Sequence, residues 1–202
     1  MLHRIGSLHE CFHILFWHFL NFIGANHHKY EYYWVIKPYS AISMELDKLD
    51  RRILHELQRD GGITNTELAD RVGLSATPCA RRVKRMQDEG LILDQVIILD
   101  PSKLGLKLSA LVQVSMDRHT PDRFKHFEAE IHKHPEVIEC LLITGQSADY
   151  QLKIVVPDMD YYQEFLLNTL TRIDGVADVH SSFIMRKVLD TTALPLHHLD
   201  RT

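Results

Sequence analysis

Thr64-Asn65-Thr66-Glu67-Leu68-Ala69-Asp70-Arg71-Val72-Gly73-Leu74-Ser75-Ala76-Thr77-Pro78-Cys79-Ala80-Arg81-Arg82-Val83-Lys84-Arg85-Met86 reads as two short helices folded around a tight turn. Thr64 and Glu67 have capping-box spacing, in which the hydroxyl and the carboxylate each satisfy an amide that the first helical turn leaves open. Leu68, Ala69 and Val72 give this first helix an apolar side. Gly73 stops it, and Ser75 stands ready to cap the next helix two residues later. Pro78 is tolerated in that first turn, where the amide has no partner to lose. Two short helices joined by a Gly-containing turn form a helix-turn-helix.

The second helix carries the chemistry. At 100° per residue, Cys79, Val83 and Met86 form an inward stripe. Thr77, Arg81, Lys84, Arg85 and Asp88 lie opposite, with Arg82 on the flank. Four cations within five residues make a positive ridge. Guanidinium groups contact phosphates or bridge guanine O6 and N7 in a major groove that admits one helix. The candidate DNA-binding residues are therefore Ser75, Thr77, Pro78, Arg81, Arg82, Lys84 and Arg85. A solvated basic face is the bland alternative, but a ridge on the second helix of a helix-turn-helix, facing away from the core, favours DNA. Cys79 on the inward stripe is a small core residue rather than a nucleophile.

Working toward the N-terminus, Asp47 caps a preceding helix with Asp50 at N3, and Leu46, Leu49, Ile53, Leu54 and Leu57 recur at helical spacing before Gly61-Gly62. Residues 1–43 differ in character. They hold both tryptophans, ten aromatic residues from Phe12 to Tyr39, and six of the fourteen histidines (His3, His9, His13, His18, His27, His28). Their longest apolar stretch, Phe12 to Ile23, is broken by His13, His18 and Asn21, and falls short of the roughly 20 residues a spanning helix needs. The preferred reading makes Met44 the natural first residue and 1–43 a non-native or disordered extension. A membrane-surface or partner-binding segment and a metal-binding histidine tract are the alternatives, the latter without a ligand-like spacing.

Working toward the C-terminus, the period changes. Leu91-Ile92-Leu93 and Val96-Ile97-Ile98-Leu99 predict strand segments around Asp94–Gln95, and Asp100–Pro101 and Gly105 punctuate a connection. Alternation over Leu108–Met116 predicts a half-buried strand. A helix from Pro121 follows, with Phe124, Phe127 and Ile131 inward, then a strand from Val137 to Thr144. The pattern recurs as a strand over Tyr150–Val156, a helix over Asp158–Ile173 with Met159, Tyr162, Phe165, Leu166, Thr169 and Leu170 inward, and a strand over Val176–Met185. Two such units predict a four-stranded antiparallel sheet with both helices on one face, the ferredoxin-like arrangement. The other face has no cover within the chain, which implies dimerisation through the sheet. The fold class is thus α+β: a winged helix-turn-helix over 44–92, a β linker over 93–105, a ferredoxin-like βαββαβ domain over 106–190 and a tail over 191–202.

Composition bounds the function. The 202 residues are 45% hydrophobic and 25% charged, as in ordinary globular proteins. Cys11, Cys79 and Cys140 are odd in number and far apart, specifying no disulfide framework and fitting a reducing cytoplasm. The formal charge is −4, so any nucleic-acid surface must be local. Residues 44–105 hold ten basic and eleven acidic residues, and 106–202 ten and fourteen. The acidic C-terminal half suits assembly or small molecules better than DNA.

Leu46-Asp47, Asp50-Arg51-Arg52-Ile53-Leu54, Thr64-Asn65, Glu67-Leu68-Ala69 and Val72 through Val83 resemble the Lrp/AsnC family of bacterial feast–famine regulators. The order of features matches too: helix-turn-helix, β linker, βαββαβ amino-acid-sensing domain. The resemblance runs from residue 44 to about 199. Glu139-Cys140, Thr144-Gly145, Thr171-Arg172-Ile173, Gly175-Val176, Ser181-Ser182-Phe183 and Thr192-Ala193-Leu194-Pro195-Leu196 resemble the branch containing the branched-chain keto-acid dehydrogenase operon activator. The resemblance implies double-stranded DNA as partner, a homo-oligomer (a dimer, and an octamer of four dimers), a cytoplasmic, nucleoid-associated location, no cofactor, and leucine or methionine as effector.

That effector is expected where sensing domains meet, around the loop after the second strand. The family pattern is Thr-Gly-x-x-Asp-Tyr; this chain has Thr144, Gly145, Gln146, Ser147, Ala148, Asp149 and Tyr150, one residue longer. Independently, Gly145 permits close backbone approach and Asp149 suits an ammonium group. Ser181, Ser182 and Thr192 are secondary candidates. No Gly-rich phosphate loop or metal-spaced Cys/His set is present in the sequence. The enzyme rival is a sirohaem-decarboxylase-like protein of the same architecture, with His132, His134 and His180 as haem-propionate partners. That group has no need of a basic outward face, and Arg81, Lys84 and Arg85 are all here. A sensing subunit that binds no DNA is the third reading.

Overall fold

A computed structural model describes residues 45–144 and 148–201, with the side chains of 200 and 201 excepted. The 1–43 extension, Met44, and Gly145, Gln146 and Ser147 of the effector loop lie outside the described residues.

The first helix, α1, spans Lys48–Arg59. Its capping box forms as the spacing predicts: Asp47 Oδ1 accepts from Asp50 N at 2.8 Å and Asp50 Oδ2 from Asp47 N at 3.2 Å. Helix α2 spans Asn65–Val72 behind the Thr64–Glu67 capping box and stops at Gly73, whose φ of 74° favours glycine. Helix α3 spans Ala76–Asp88. Ser75 occupies the N-cap position, but its side chain makes no capping bond. Asn65 Nδ2 instead donates to Ala76 O at 2.9 Å, tying the start of α2 to the start of α3. Ile53, Leu54, Leu68, Ala69, Val72, Cys79 and Met86 are the buried core of this three-helix unit.

The strand segments expected at Leu91–Leu93 and Val96–Leu99 do not form. A strand exists through its ladder, and among the described residues no segment lies alongside to complete one. The chain there is irregular, held at Gln95 by a side-chain bond to the Gly61 carbonyl. Val96, Ile97, Ile98 and Leu99 are 74, 88, 74 and 64% exposed.

Beyond the linker, β1 (Leu108–Met116), α4 (Pro121–Ile131), β2 (Val137–Leu142), β3 (Tyr150–Val156), α5 (Met159–Asn168) and β4 (Val176–Phe183) follow in order. The sheet order is β2-β3-β1-β4, every pair antiparallel, which is the ferredoxin-like topology. Alternate residues of β1 and β3 (Ala110, Val112, Val114, Met116; Tyr150, Leu152, Ile154, Val156) bury against Phe127 and Ile131 of α4 and Tyr162 and Phe165 of α5. Helix α5 is shorter than expected. Thr169 leaves helical geometry at φ −124° and ψ −71°, and a 3-10 turn over Leu170–Arg172 buries Leu170. Met159, expected inward, is the first helical residue and stays 47% exposed. β2 and β4 stop at Leu142 and Phe183, short of Thr144 and Met185.

The tail then returns to the helical unit. Leu196 packs on its core. The Gln58 amide pairs with the backbone of Leu194, Nε2 donating to O at 3.2 Å and Oε1 accepting from N at 2.6 Å. Arg51 donates to Leu199 O at 2.6 Å.

Candidate nucleic-acid interface and effector loop

Cys79 and Met86 are fully buried and Val83 half-buried, so α3 sits on its core by the stripe its spacing predicts. Burial pushes the Cys79 thiol upward, keeping it neutral. The opposite side is exposed at Ser75, Thr77, Arg81 and Lys84, with Pro78 half-buried at its edge. The four cations are not equivalent. Arg81 has no ion-pair partner among the described residues. Lys84 meets Asp88 at 3.1 Å one turn on, both side chains well exposed, an arrangement worth a few tenths of a kcal/mol. Arg82 and Arg85 turn instead toward α1: Arg82 reaches Asp47 at 2.7 Å and Asp50 at 2.8 Å, and Arg85 reaches Asp50 at 2.7 Å. The bond to Asp50 is the first cause that raises the Arg82 pKa still further. Sequence spacing placed Asp50 in the capping box, but helical periodicity within one helix carries no sign of pairing across two.

In the effector loop, Thr144 is exposed and Ala148 is buried. Asp149 is tied in on three sides. Its amide donates to Val114 O at 2.9 Å, its carbonyl accepts from Ile143 N at 2.8 Å, and its Oδ2 accepts from Met116 N at 2.7 Å. Oδ1 lies 2.8 Å from His119 Nε2. Asp149 thus fastens the loop to the end of β1, a structural duty the sequence did not reveal. Tyr150 is buried between Phe124 and Phe127, and its hydroxyl donates to Glu128 Oε1 at 2.8 Å. Burial first, then that bond to a carboxylate, pushes its pKa well above the usual phenol value. Of the secondary candidates, Ser181 Oγ meets Tyr162 OH at 2.5 Å, joining α5 to β4, while Ser182 and Thr192 are exposed. The three histidines raised for the haem reading are scattered. His132 bonds Glu128 O, His134 packs edge-on to Phe165, and His180 pairs with Asp178.

Two family models match the chain: winged helix-turn-helix DNA-binding over residues 46–92, and the Lrp/AsnC ligand binding domain over 109–194. The leucine-responsive regulatory protein of Salmonella typhimurium is 43% identical over 150 residues, which cover 74% of this chain and 91% of that protein. The chain belongs to the Lrp/AsnC family. This Lrp/AsnC protein is a DNA-binding transcriptional regulator with an amino-acid-binding domain, and its relatives are regulators rather than enzymes. The leucine-responsive regulatory protein of Escherichia coli K12 is 42% identical over the same length and coverage. Among solved structures, a Neisseria meningitidis transcriptional regulator in complex with L-Met superposes with a TM-score of 0.74 at 42% identity, covering 76% of this chain and 99% of that one. An AsnC family regulator from Agrobacterium tumefaciens gives 0.70 at 38%, covering 75% and 98%. Among the described residues no helix is long and apolar enough to cross a membrane.

Proposed function

We propose that α3 enters the major groove of double-stranded DNA with Ser75, Thr77, Pro78, Arg81, Arg82, Lys84 and Arg85 forming or bordering the contact surface, and that leucine or methionine bound at the loop from Thr144 to Tyr150 modulates that contact. The supporting observation is the exposed cationic side of a helix whose other side is anchored in its core. Arg81 and Lys84 are the freest of the cations and supply the direct phosphate or base-edge contacts. For the effector, support comes from the loop's place at the edge of the sheet, the leucine-responsive names of the bacterial relatives and the L-Met complex of the Neisseria regulator. The domain division at the 93–105 linker belongs to the same reading, each side having its own hydrophobic core.

The protein works as a homo-oligomer, a dimer assembled into an octamer in the bacterial cytoplasm and on the nucleoid. The exposed apolar residues Ile138, Leu141, Leu142 and Phe183, with the bare linker, support self-association. The decisive experiment is selection of DNA from a random pool, with and without each amino acid, followed by salt titrations of single alanine variants at 81, 84 and 85. Replacing a phosphate contact weakens all sequences alike and lowers the salt slope by about one, whereas replacing a base-reading arginine relaxes specificity at one position. Wild-type behaviour of all three variants on selected and scrambled DNA would leave the ridge a solvated face. Light scattering that finds a monomer at micromolar concentration refutes the assembly.

A further inference from the structure

We infer that Asp50 is a positioning residue for DNA binding: a buried carboxylate on α1 that aims Arg85 of α3 outward, with Arg82 as the brace. The inference rests on the reading that α3 meets DNA. Asp50 is 1% exposed, the one charged side chain fully buried among the described residues. A buried carboxylate is costly unless its oxygens are bonded, and both are. Oδ1 accepts from Arg82 at 2.8 Å, and Oδ2 accepts from Arg85 at 2.7 Å and from the Asp47 amide at 3.2 Å. Arg82 also reaches Asp47 at 2.7 Å, so Asp50 of α1 and its N-cap Asp47 balance two cations of α3.

Holding two helices together needs no charge, since well-packed apolar side chains do it with less desolvation cost. An acid at this position instead acts on the arginines. A guanidinium carries five donors in a rigid fork, so a group bonded along one edge still presents another. Arg85 commits Nη2 to Asp50, yet its side chain is 43% exposed. It borders the same shallow depression as Arg81 and Lys84. Its long side chain is therefore ordered before DNA arrives, and the entropy of fixing it is not lost on binding. The opposite role, masking, predicts the opposite sign: an acid that competes with phosphate for Arg85 weakens binding, and its removal strengthens it.

The test uses the full chain with Asp50→Asn, Asp50→Glu, Arg85→Ala and the Asp50→Asn/Arg85→Ala double variant. Each is titrated against a selected duplex and a scrambled one at several salt concentrations, and its thermal melt is recorded alongside. The inference expects Asp50→Asn to lose affinity roughly tenfold and to lower the salt slope by about one per protomer, as Arg85→Ala does. The double variant should bind no worse than either single one. Asp50→Glu keeps the charge but shifts the oxygens by a methylene, so it stays folded and still loses affinity. A purely structural Asp50 lowers the melting temperature while the folded protein keeps its slope, or adds its effect to that of Arg85→Ala. Either result overturns the inference, as does any gain in affinity. If Arg85→Ala alone binds like wild type, Arg85 is no contact and the inference falls, while alanine at 81 and 84 still reports on α3 and DNA.

Discussion

Replacing Asp149 by alanine should unsettle the sensing sheet itself. β1 pairs with β3 only as far as Val114 opposite Tyr150, and its register against β4 shifts between Ser115 and Met116. Met116 N therefore runs past the ladder, and Asp149 Oδ2 supplies the missing acceptor at 2.7 Å. Alanine leaves that part-buried amide unpaired, a loss of about 1–3 kcal/mol. The His119 contact adds little, because His119 is 70% exposed and a surface pair is worth about 0–1 kcal/mol. A total near 2 kcal/mol lowers the melting temperature of a domain this size by about 10 °C. Asp149→Asn keeps an oxygen acceptor and should lose less than half as much. Differential scanning calorimetry measures both, and titration calorimetry with leucine and methionine then asks whether the folded asparagine variant still binds. Alanine and asparagine variants melting within a degree or two of wild type would show that the carboxylate does not hold the strand end. Loss of ligand by a stable asparagine variant would assign the charge to the ammonium group.

The docked tail should also be measurable. Leu196→Ala removes about half of a buried leucine's worth, roughly 1 kcal/mol, from the helical unit, and Gln58→Ala about as much through its two exposed bonds to Leu194; a helical-unit melt unchanged in both variants places the tail elsewhere. Cys140 gives a chemical check. Burial, then the nearby Glu128, pushes its thiol up to about 12, so the Cys140 peptide should stay unmodified by iodoacetamide at pH 8 in the native protein and react in the denatured one. The sign for stability follows: the protonated thiol contributes fully below the unfolded pKa, and that contribution is lost as pH rises through the folded value. Fast native alkylation of Cys140 at pH 8 contradicts the burial.

Local chemistry was legible in the sequence wherever one segment decides its own state. Asp47, Thr64 and Gly73 end their helices as their spacing requires, and the alternation of β1 and β3 names the buried face residue by residue. Contacts between segments were not legible. The linker reads as strand because Val96, Ile97 and Ile98 are β-branched and Leu99 is apolar, but a strand also needs a partner, and none is present among the described residues. The basic ridge reads as three outward cations with Arg82 on the flank, and nothing marks Arg85 as paired, because periodicity sees one helix at a time. Asp50 lies 32 residues from Arg82 in the chain, and the fold alone brings them together. Asp149 reads as a ligand group since a carboxylate in a glycine-containing loop suits an ammonium, and its strand-end bond depends on where β1 outruns β3.

These pairings change how a chain of net charge −4 meets a polyanion. If all four cations of α3 faced DNA, electrostatics alone would dominate, giving strong, sequence-blind binding. On the proposed reading Asp50 orders Arg85 without hiding it, its side chain staying 43% exposed, so the contact set per protomer is Arg81, Lys84 and the free edge of Arg85, with Arg82 held back as the brace. Non-specific attraction is then modest for one protomer and doubles in a two-fold dimer that places two copies of α3 about one helical turn apart. Affinity that depends on pairing copies is affinity that assembly can switch. On the proposed reading, an amino acid that shifts the association of protomers acts on DNA binding without touching α3, and a salt slope that grows with protomer number, rather than with the charge of a single helix, is the signature that tests it.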